Sequence, residues 1–322
     1  MRHSKKFLSV VLCLLVVACG DSVESNRDVA SSGDKSERPT VALIMKSLAN
    51  EYFVTMAAGA REHQASHEDR YRLIVNGIKN EIDLAQQVAL VDQMISAGAD
   101  AIVIAPADSK ALIPALARAS AAGIVIINID NRLDEDILKE YDLTVPFVGP
   151  DNFVGAEMVG QYLGAQLTAG QKVAILEGVP TAHNSQRRTA GFLKAMVDRG
   201  LDVVAQQSAQ WDQTQAVTVT SGILVQHPDL AAILCANDNM ALGAAAAVTQ
   251  AGKSGQIKII GIDNISAVRD LIKRKVILAT LDQYAGLLAV NGIEYALDAL
   301  KSGAVLADKI TAVDLITADT IN

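Results

Sequence analysis

Thr40-Val-Ala-Leu-Ile-Met45 is a β-branched run that is apolar throughout from Val41, and the residues after it, Lys46-Ser-Leu-Ala-Asn-Glu-Tyr-Phe53, turn polar before a helical stretch begins. A run that is apolar at every position suits a parallel strand covered by helices on both faces. Short β-branched runs, most of them nearly continuous in apolar residues, recur at Tyr71 to Val75, Ala101 to Ile104, Ile124 to Ile129 and Thr144 to Val148. A second series follows at Lys172 to Leu176, Val203 to Ser208, Ala231 to Cys235, Ile257 to Ile262 and Val276 to Leu281. Run starts are 31, 30, 23 and 20 residues apart in the first series and 31, 28, 26 and 19 in the second, the self-similarity of a repeated unit. Between the runs lie amphipathic segments such as Asp83 to Ala97, whose Leu84, Val88, Val91, Met94 and Ile95 recur at helical spacing. Pro146 makes its run suit an edge or crossing segment. The expected architecture is therefore α/β, with two doubly wound parallel-sheet lobes joined by hinge strands. The first lobe would comprise residues 40–149 plus 284–312, and the second 150–283 plus 313–322. The chain would first cross at Phe147 to Asn152, and the helix Tyr284 to Leu300 would return to the first lobe.

The segment before the first run reads differently. Arg2, His3, Lys5 and Lys6 precede an apolar stretch from Phe7 to Val17 that is too short to span a bilayer, the order of a signal peptide over residues 1–18. Val16-Val17-Ala18-Cys19 resembles the lipobox of bacterial lipoproteins, which makes Cys19 the expected lipidation site. Residues 19–39, rich in Ser, Asp and Glu, bury too little apolar surface to fold and read as a tether. The chain is then expected to be exported and lipid-anchored, in the periplasm or on the outer face of the cytoplasmic membrane. Of its three cysteines only Cys235 falls in the folded part, inside an apolar run, where it reads as a small buried hydrophobe. The formal charge of −8 falls to −11 without Arg2, Lys5 and Lys6, which argues against nucleic acid as a partner.

Lobes of this type bind ligands beyond the carboxyl ends of their strands. Polar residues gather there: Asn50, Tyr52 and Phe53 after the first run, and Asp130, Asn131 and Arg132 after the fourth. In the second series the matching positions hold Asn184, Gln186, Arg187 and Arg188, then Trp211 and Asp212, then Asn237 and Asp238. Asp263 and Asn264 follow the next run, and Asp282 and Gln283 the last. Planar amides, carboxylates and guanidinium groups make paired hydrogen bonds to adjacent hydroxyls, and aromatic faces suit the C–H surface of a sugar ring. The competing reading of each Asp or Asn is a helix cap, which fits Asp212 and Asp238 best. Trp211, the only tryptophan, lies between polar neighbours and reads as a stacking surface. Lys46 reads as solvated at the cleft mouth.

The stretch from Ala42 to Phe53 resembles the opening of periplasmic sugar-binding proteins of the ribose-binding type. Further matches run in order through Ile129-Asp130, Gly149-Pro-Asp-Asn152, Arg188-Thr-Ala-Gly-Phe192, Asn237-Asp-Asn-Met-Ala-Leu-Gly243, Gly261-Ile-Asp263 and Ala279-Thr-Leu-Asp-Gln283. The resemblance implies a type I periplasmic binding fold. It also implies ligand contacts at Asn50, Tyr52, Phe53, Asp130, Trp211, Asn237, Asp263 and Gln283. Two departures stand out: Asn131 replaces the arginine usually beside the fourth-strand aspartate, and Gln186 occupies the place of one ligand arginine, while Arg188 matches the next. Asn131, Asn184 and Arg188 complete the candidate site.

The function these readings imply is capture of a monosaccharide or related polyol by a monomer that passes it to the permease of an ABC importer, with no cofactor and no catalytic step. A receptor that reports the same closed form to a sensor kinase or chemoreceptor is the alternative. A dehydrogenase is disfavoured because the first run is followed by neither G-x-G-x-x-G nor a P-loop. His63 and His67 are four apart with no third metal ligand evident nearby, and read as a solvated helix face. No Ser-His-Asp arrangement supports hydrolysis. The sugar-responsive repressors that share this core carry a DNA-binding domain where this chain has a signal and a tether.

Overall fold

A computed structural model describes residues 38–321; the proposed signal, Cys19 and nearly all of the tether lie outside the described residues. The first sheet contains β1 (Thr40–Ser47), β2 (Arg72–Ile78), β3 (Ala101–Ile104), β4 (Val125–Ile129) and β5 (Phe147–Pro150). The second contains β6 (Lys172–Glu177), β7 (Asp202–Ser208), β8 (Ala232–Cys235), β9 (Lys258–Ile260) and β10 (Ala279–Asp282). Two short strands near the end, β11 (Lys309–Thr311) and β12 (Asp314–Thr317), join one sheet each. The orders are β11-β5-β4-β3-β1-β2 and β12-β10-β9-β8-β6-β7, parallel throughout except for β12 against β10. The fold is thus a pair of doubly wound parallel lobes.

Alternation along the strands explains the continuous apolar runs. Val41, Leu43 and Met45 of β1 share a buried cluster with Val103, Ile127 and Ile129 and with Phe53 and Met56 of α1 (Glu51–Ala65). Ala42 and Ile44 face the other way, into a cluster with Val91 and Met94 of α2 (Leu84–Ser96) and Leu116 of α3 (Ile113–Ala121). Successive side chains of a strand point to opposite faces, so both must be apolar when both are covered. After the short α4 (Glu135–Glu140), the second lobe repeats the scheme with α5 (Asn152–Gly164), α6 (His183–Asp198), α7 (Gln213–Gln226), α8 (Asp238–Gln250) and α9 (Ser266–Lys273).

The chain crosses between sheets three times, after β5, after β10, and between β11 and β12. The second crossing leads into α10 (Ala285–Ser302), which packs on the first sheet with Gly292 against Val103 and Ile129. It meets α1 where Gly59 faces Gly286; a Cβ on Gly59 would lie 2.5 Å from Gly286 Cα. Two strand starts fall three residues later than the sequence reading. Strand pairing starts at Phe147, after Pro146, and at Ala279, because Val276 to Leu278 form the turn out of α9. β11 and β12 are too short to show a periodic signal. Cys235 is fully buried and free, and burial pushes its thiol up.

His63 departs from the solvated reading. It is largely buried, with Nδ1 2.8 Å from Tyr71 Oη, Nε2 3.0 Å from Glu294, and its ring stacked on His67. Among the described residues no cluster of three or more His, Cys, Asp or Glu side chains is arranged to hold a metal.

Candidate functional site

The carboxyl ends of both sheets meet at a small cavity. From the first lobe it is lined by Lys46, Asn50, Tyr52, Phe53, Glu81 and Asp130, and from the second by Asn184, Arg188, Trp211, Asn237 and Asp263. Nine of the eleven residues singled out from sequence are therefore brought together.

Helix starts place several of them. Asn50 is the N-cap of α1, accepting from Tyr52 N at 3.0 Å, while its Nδ2 donates to Glu81 Oε1 at 3.1 Å. Asn237 likewise caps α8 through Oδ1, accepting from Met240 N, and its Nδ2 reaches the Trp211 carbonyl at 3.4 Å. Capping and lining are not alternatives, because an amide caps with its oxygen and keeps its nitrogen for the cavity. Asp212 is a cap for α7, accepting from Gln215 N at 2.7 Å. Asp238 is not a cap of its own helix; fully buried, it accepts from Thr280 Oγ1 at 2.7 Å and Ile265 N at 3.0 Å, tying three strand exits together.

Asp130, Trp211 and Asp263 have φ of 62°, 66° and 131°, backbone that L-residues adopt at a cost and that clusters at functional sites. Trp211 is 4% exposed and sits at the interface of the lobes. One edge rests on Gly178, where a Cβ would fall 2.1 Å from the ring. Lys46 Nζ lies 5.7 Å from its centroid and 5.6 Å from that of Phe53, and Arg188 lies 5.5 Å from the indole. Tyr52 meets Phe53 edge-on at 5.2 Å. Trp211 thus lines the cavity, and is not sealed inside one core.

Each of the two cations inside faces a carboxyl group. Lys46, 3% exposed, pairs with Asp130 at 2.9 Å. Arg188 donates Nε to Asn152 Oδ1 at 2.7 Å, Nη1 to the Ala236 carbonyl at 2.7 Å and Nη2 to Gln283 Oε1 at 2.9 Å, and lies 3.9 Å from Asp263. Tyr52 Oη, Asn184 Oδ1 and Trp211 Nε1 are buried with no hydrogen-bond partner among the described residues. An unmatched buried polar atom costs about 1–3 kcal/mol. Three of them, a hydroxyl, an acceptor and a donor, belong to residues that line one cavity.

A family profile described as periplasmic binding protein domain matches residues 41–304. The chain belongs to this family. It is 46% identical over 319 residues to the D-ribose/D-allose-binding protein of Pseudomonas aeruginosa, covering 98% of each chain. Among solved structures it is similar to an ABC transporter solute binding protein from Burkholderia multivorans, at 51% identity and a TM-score of 0.85 over 87% of this chain and 99% of that one. It is also similar to a periplasmic solute binding protein from Actinobacillus succinogenes with bound D-allose, at 36% identity and a TM-score of 0.83 over 88% and 99% of the respective chains.

In this periplasmic binding protein two residues singled out from sequence do not line the cavity. Asn131, fully buried, turns away from Asp130, donating Nδ2 to the Pro106 carbonyl at 3.0 Å and accepting from Asn184 N at 3.0 Å. Gln283 stands behind the cavity wall and bridges Asp263 and Arg188, donating Nε2 to Asp263 Oδ1 at 2.8 Å. Two lining residues were missed. Lys46 is not solvated, because Asp130 and the rings of Phe53 and Trp211 enclose it. Glu81 lies in the exit loop of β2, a strand end whose polar residues carried no distinctive pattern but which topology alone would have flagged.

Burial pushes Glu81 up to about 7, against the opposing pull of Lys46 and the hydrogen bond from Asn50. Burial also pushes Asp263 well above the usual carboxylate range, opposed by Arg188. A carboxyl whose folded-state pKa is raised binds more protons folded than unfolded, so its charged form lowers stability as pH rises. For Glu81 that penalty is absent below about 4.5 and complete above about 7. Glu81→Gln is therefore expected to be more stable than the parent above pH 7 and to converge with it toward pH 4.5. Melting curves across that range check this, and parallel profiles would show that Glu81 does not titrate there.

Proposed function

We propose that this protein captures a monosaccharide or closely related polyol between its lobes and delivers it to the permease of an ABC importer. The observation that carries this reading is the cavity itself: internally paired charges, aromatic rings from both lobes, and buried polar atoms left without partners. Paired charges disfavour an ionic guest, whereas unmatched donors and acceptors beside rings suit neutral hydroxyls on a C–H face. Asn50, Tyr52, Phe53, Asp130, Asn184, Arg188, Trp211, Asn237 and Asp263 are the proposed contacts, joined by Lys46 and Glu81. Asn131 and Gln283 act by holding them. The relatives' ribose and allose names make a pentose or hexose the first choice. Monomeric action, export, anchoring through Cys19 and the lobe boundaries given above complete the proposal, and no catalytic step belongs to it.

Ligand that binds only the folded state raises its stability, by about 2.7 kcal/mol at a hundred times Kd. A thermal-shift panel of D-ribose, D-allose, other pentoses and hexoses, amino sugars and polyols is expected to single out one or a few that raise Tm, with calorimetry giving 1:1 binding. No shift with any carbohydrate or polyol would overturn the reading.

A further inference from the structure

Three hydrogen bonds between the lobes share one form: the donor is a main-chain N–H of the second lobe and the acceptor a side chain of the first. His183 N donates to Ser109 Oγ at 2.9 Å, Asn184 N to Asn131 Oδ1 at 3.0 Å, and Ser266 N to Glu51 Oε1 at 2.8 Å. His183 and Asn184 open α6 and Ser266 opens α9, and both helices start without an acceptor of their own, since their N-cap residues are Ala182 and Ile265. The other helices of that lobe, α5, α7 and α8, are capped by their own Asp151, Asp212 and Asn237. A helix start leaves N–H groups unmatched unless a side chain or water accepts from them. The two helices that lack their own caps are thus the two whose first N–H groups meet the opposite lobe.

We propose that the first lobe caps α6 and α9 in trans, through Ser109, Asn131 and Glu51, so that closing the cleft completes these helices and opening it uncaps them. The contacts exist only when the lobes are together, and an interaction present in one state shifts the population toward that state by its own free energy. Because α6 carries Asn184 and Arg188, trans-capping also sets the position of two cavity residues, which makes Ser109, Asn131 and Glu51 positioning residues. This explains why Asn131 is buried yet turned from the cavity. The proposal rests on the reading of the cavity as a closing ligand site, but its test does not require a sugar.

The test reads the closed-to-open ratio from interlobe distances, by pulsed electron spin resonance between labels at exposed Glu62→Cys and Val225→Cys, without ligand and then with saturating D-allose or D-ribose. Losing one cap is expected to lower the ratio about three- to tenfold in Ser109→Ala and in Glu51→Ala. Glu51→Gln keeps an acceptor oxygen and should restore it. Ala182→Ser, which lets α6 cap itself in the open state, should lower the ratio while leaving the ligand-free Tm unchanged or raised, an outcome that a purely structural role does not produce. Ratios unchanged in both Ser109→Ala and Glu51→Ala would overturn the proposal. So would Ala182→Ser with an unchanged ratio. If no sugar alters the distances, the cavity reading fails, while the ligand-free ratios still decide the trans-caps.

Discussion

Asp130→Ala is expected to lose both sugar binding and a large part of the stability of the fold. Its partner Lys46 is 3% exposed, and removing one member of a buried ion pair strands the other at a cost of about 3–5 kcal/mol. The substitution also places Ala at φ 62°, where Asp and Asn are tolerated better. Binding should weaken more than about tenfold, because a charged acceptor for ligand hydroxyls is lost, about 1.5–3 kcal/mol. Two effects of different origin call for two variants. Lys46→Met combined with Asp130→Ala removes both charges and should recover most of the stability while binding stays weak. Urea unfolding with calorimetry separates them, and a double variant as unstable as Asp130→Ala would show that the pair is not the source of the loss.

Arg188→Ala is expected to be the most damaging change in the second lobe. One guanidinium joins the start of α5, the end of β8 and the end of β10, through Asn152, the Ala236 carbonyl and Gln283, and faces Asp263. Truncation leaves the buried Ala236 carbonyl without its donor and the buried Asp263 carboxyl without its counter-charge, again about 3–5 kcal/mol. Arg188→Lys should recover only part, since an ammonium cannot reproduce the planar fork. The deficit should also depend on pH. Burial already raises the folded-state pKa of Asp263, and Arg188 opposes that rise, so its removal pushes the carboxyl higher still. A raised folded-state pKa means stability lost as pH rises, so the deficit of Arg188→Ala should be smaller in acid than at neutral pH. Unfolding midpoints measured across pH check this; a deficit constant with pH would mean that Asp263 stays protonated whether or not Arg188 is present.

How far the cavity was legible depended on the kind of information each residue carries. Strand exits announce themselves locally, as an apolar run that stops, and so Asn50, Asp130, Trp211, Asn237 and Asp263 were readable one exit at a time. Lys46 belongs to β1 itself, and a lysine at the end of a strand is ordinarily solvated. Only the sheet order, with β3 between β1 and β4, brings Asp130 within 2.9 Å of it. Adjacent residues were separable only in three dimensions. The positive φ of Asp130 sends Asp130 and Asn131 to different surroundings, one into the cavity and one toward Pro106 and α6. Asp238 and Gln283 were legible as polar strand-end residues, but their service as bridges depends on partners 20 to 95 positions away along the chain.

By itself the sequence determined the doubled βα scheme, and it pointed to a candidate site at strand ends with polar and aromatic side chains gathered there. Each follows from periodicity and local order, which survive in one dimension. Only the tertiary structure decided which polar groups face the cavity, which charges neutralise one another, and which helix starts are capped from the opposite lobe. Those outcomes depend on distances of about 3 Å between residues remote in the chain.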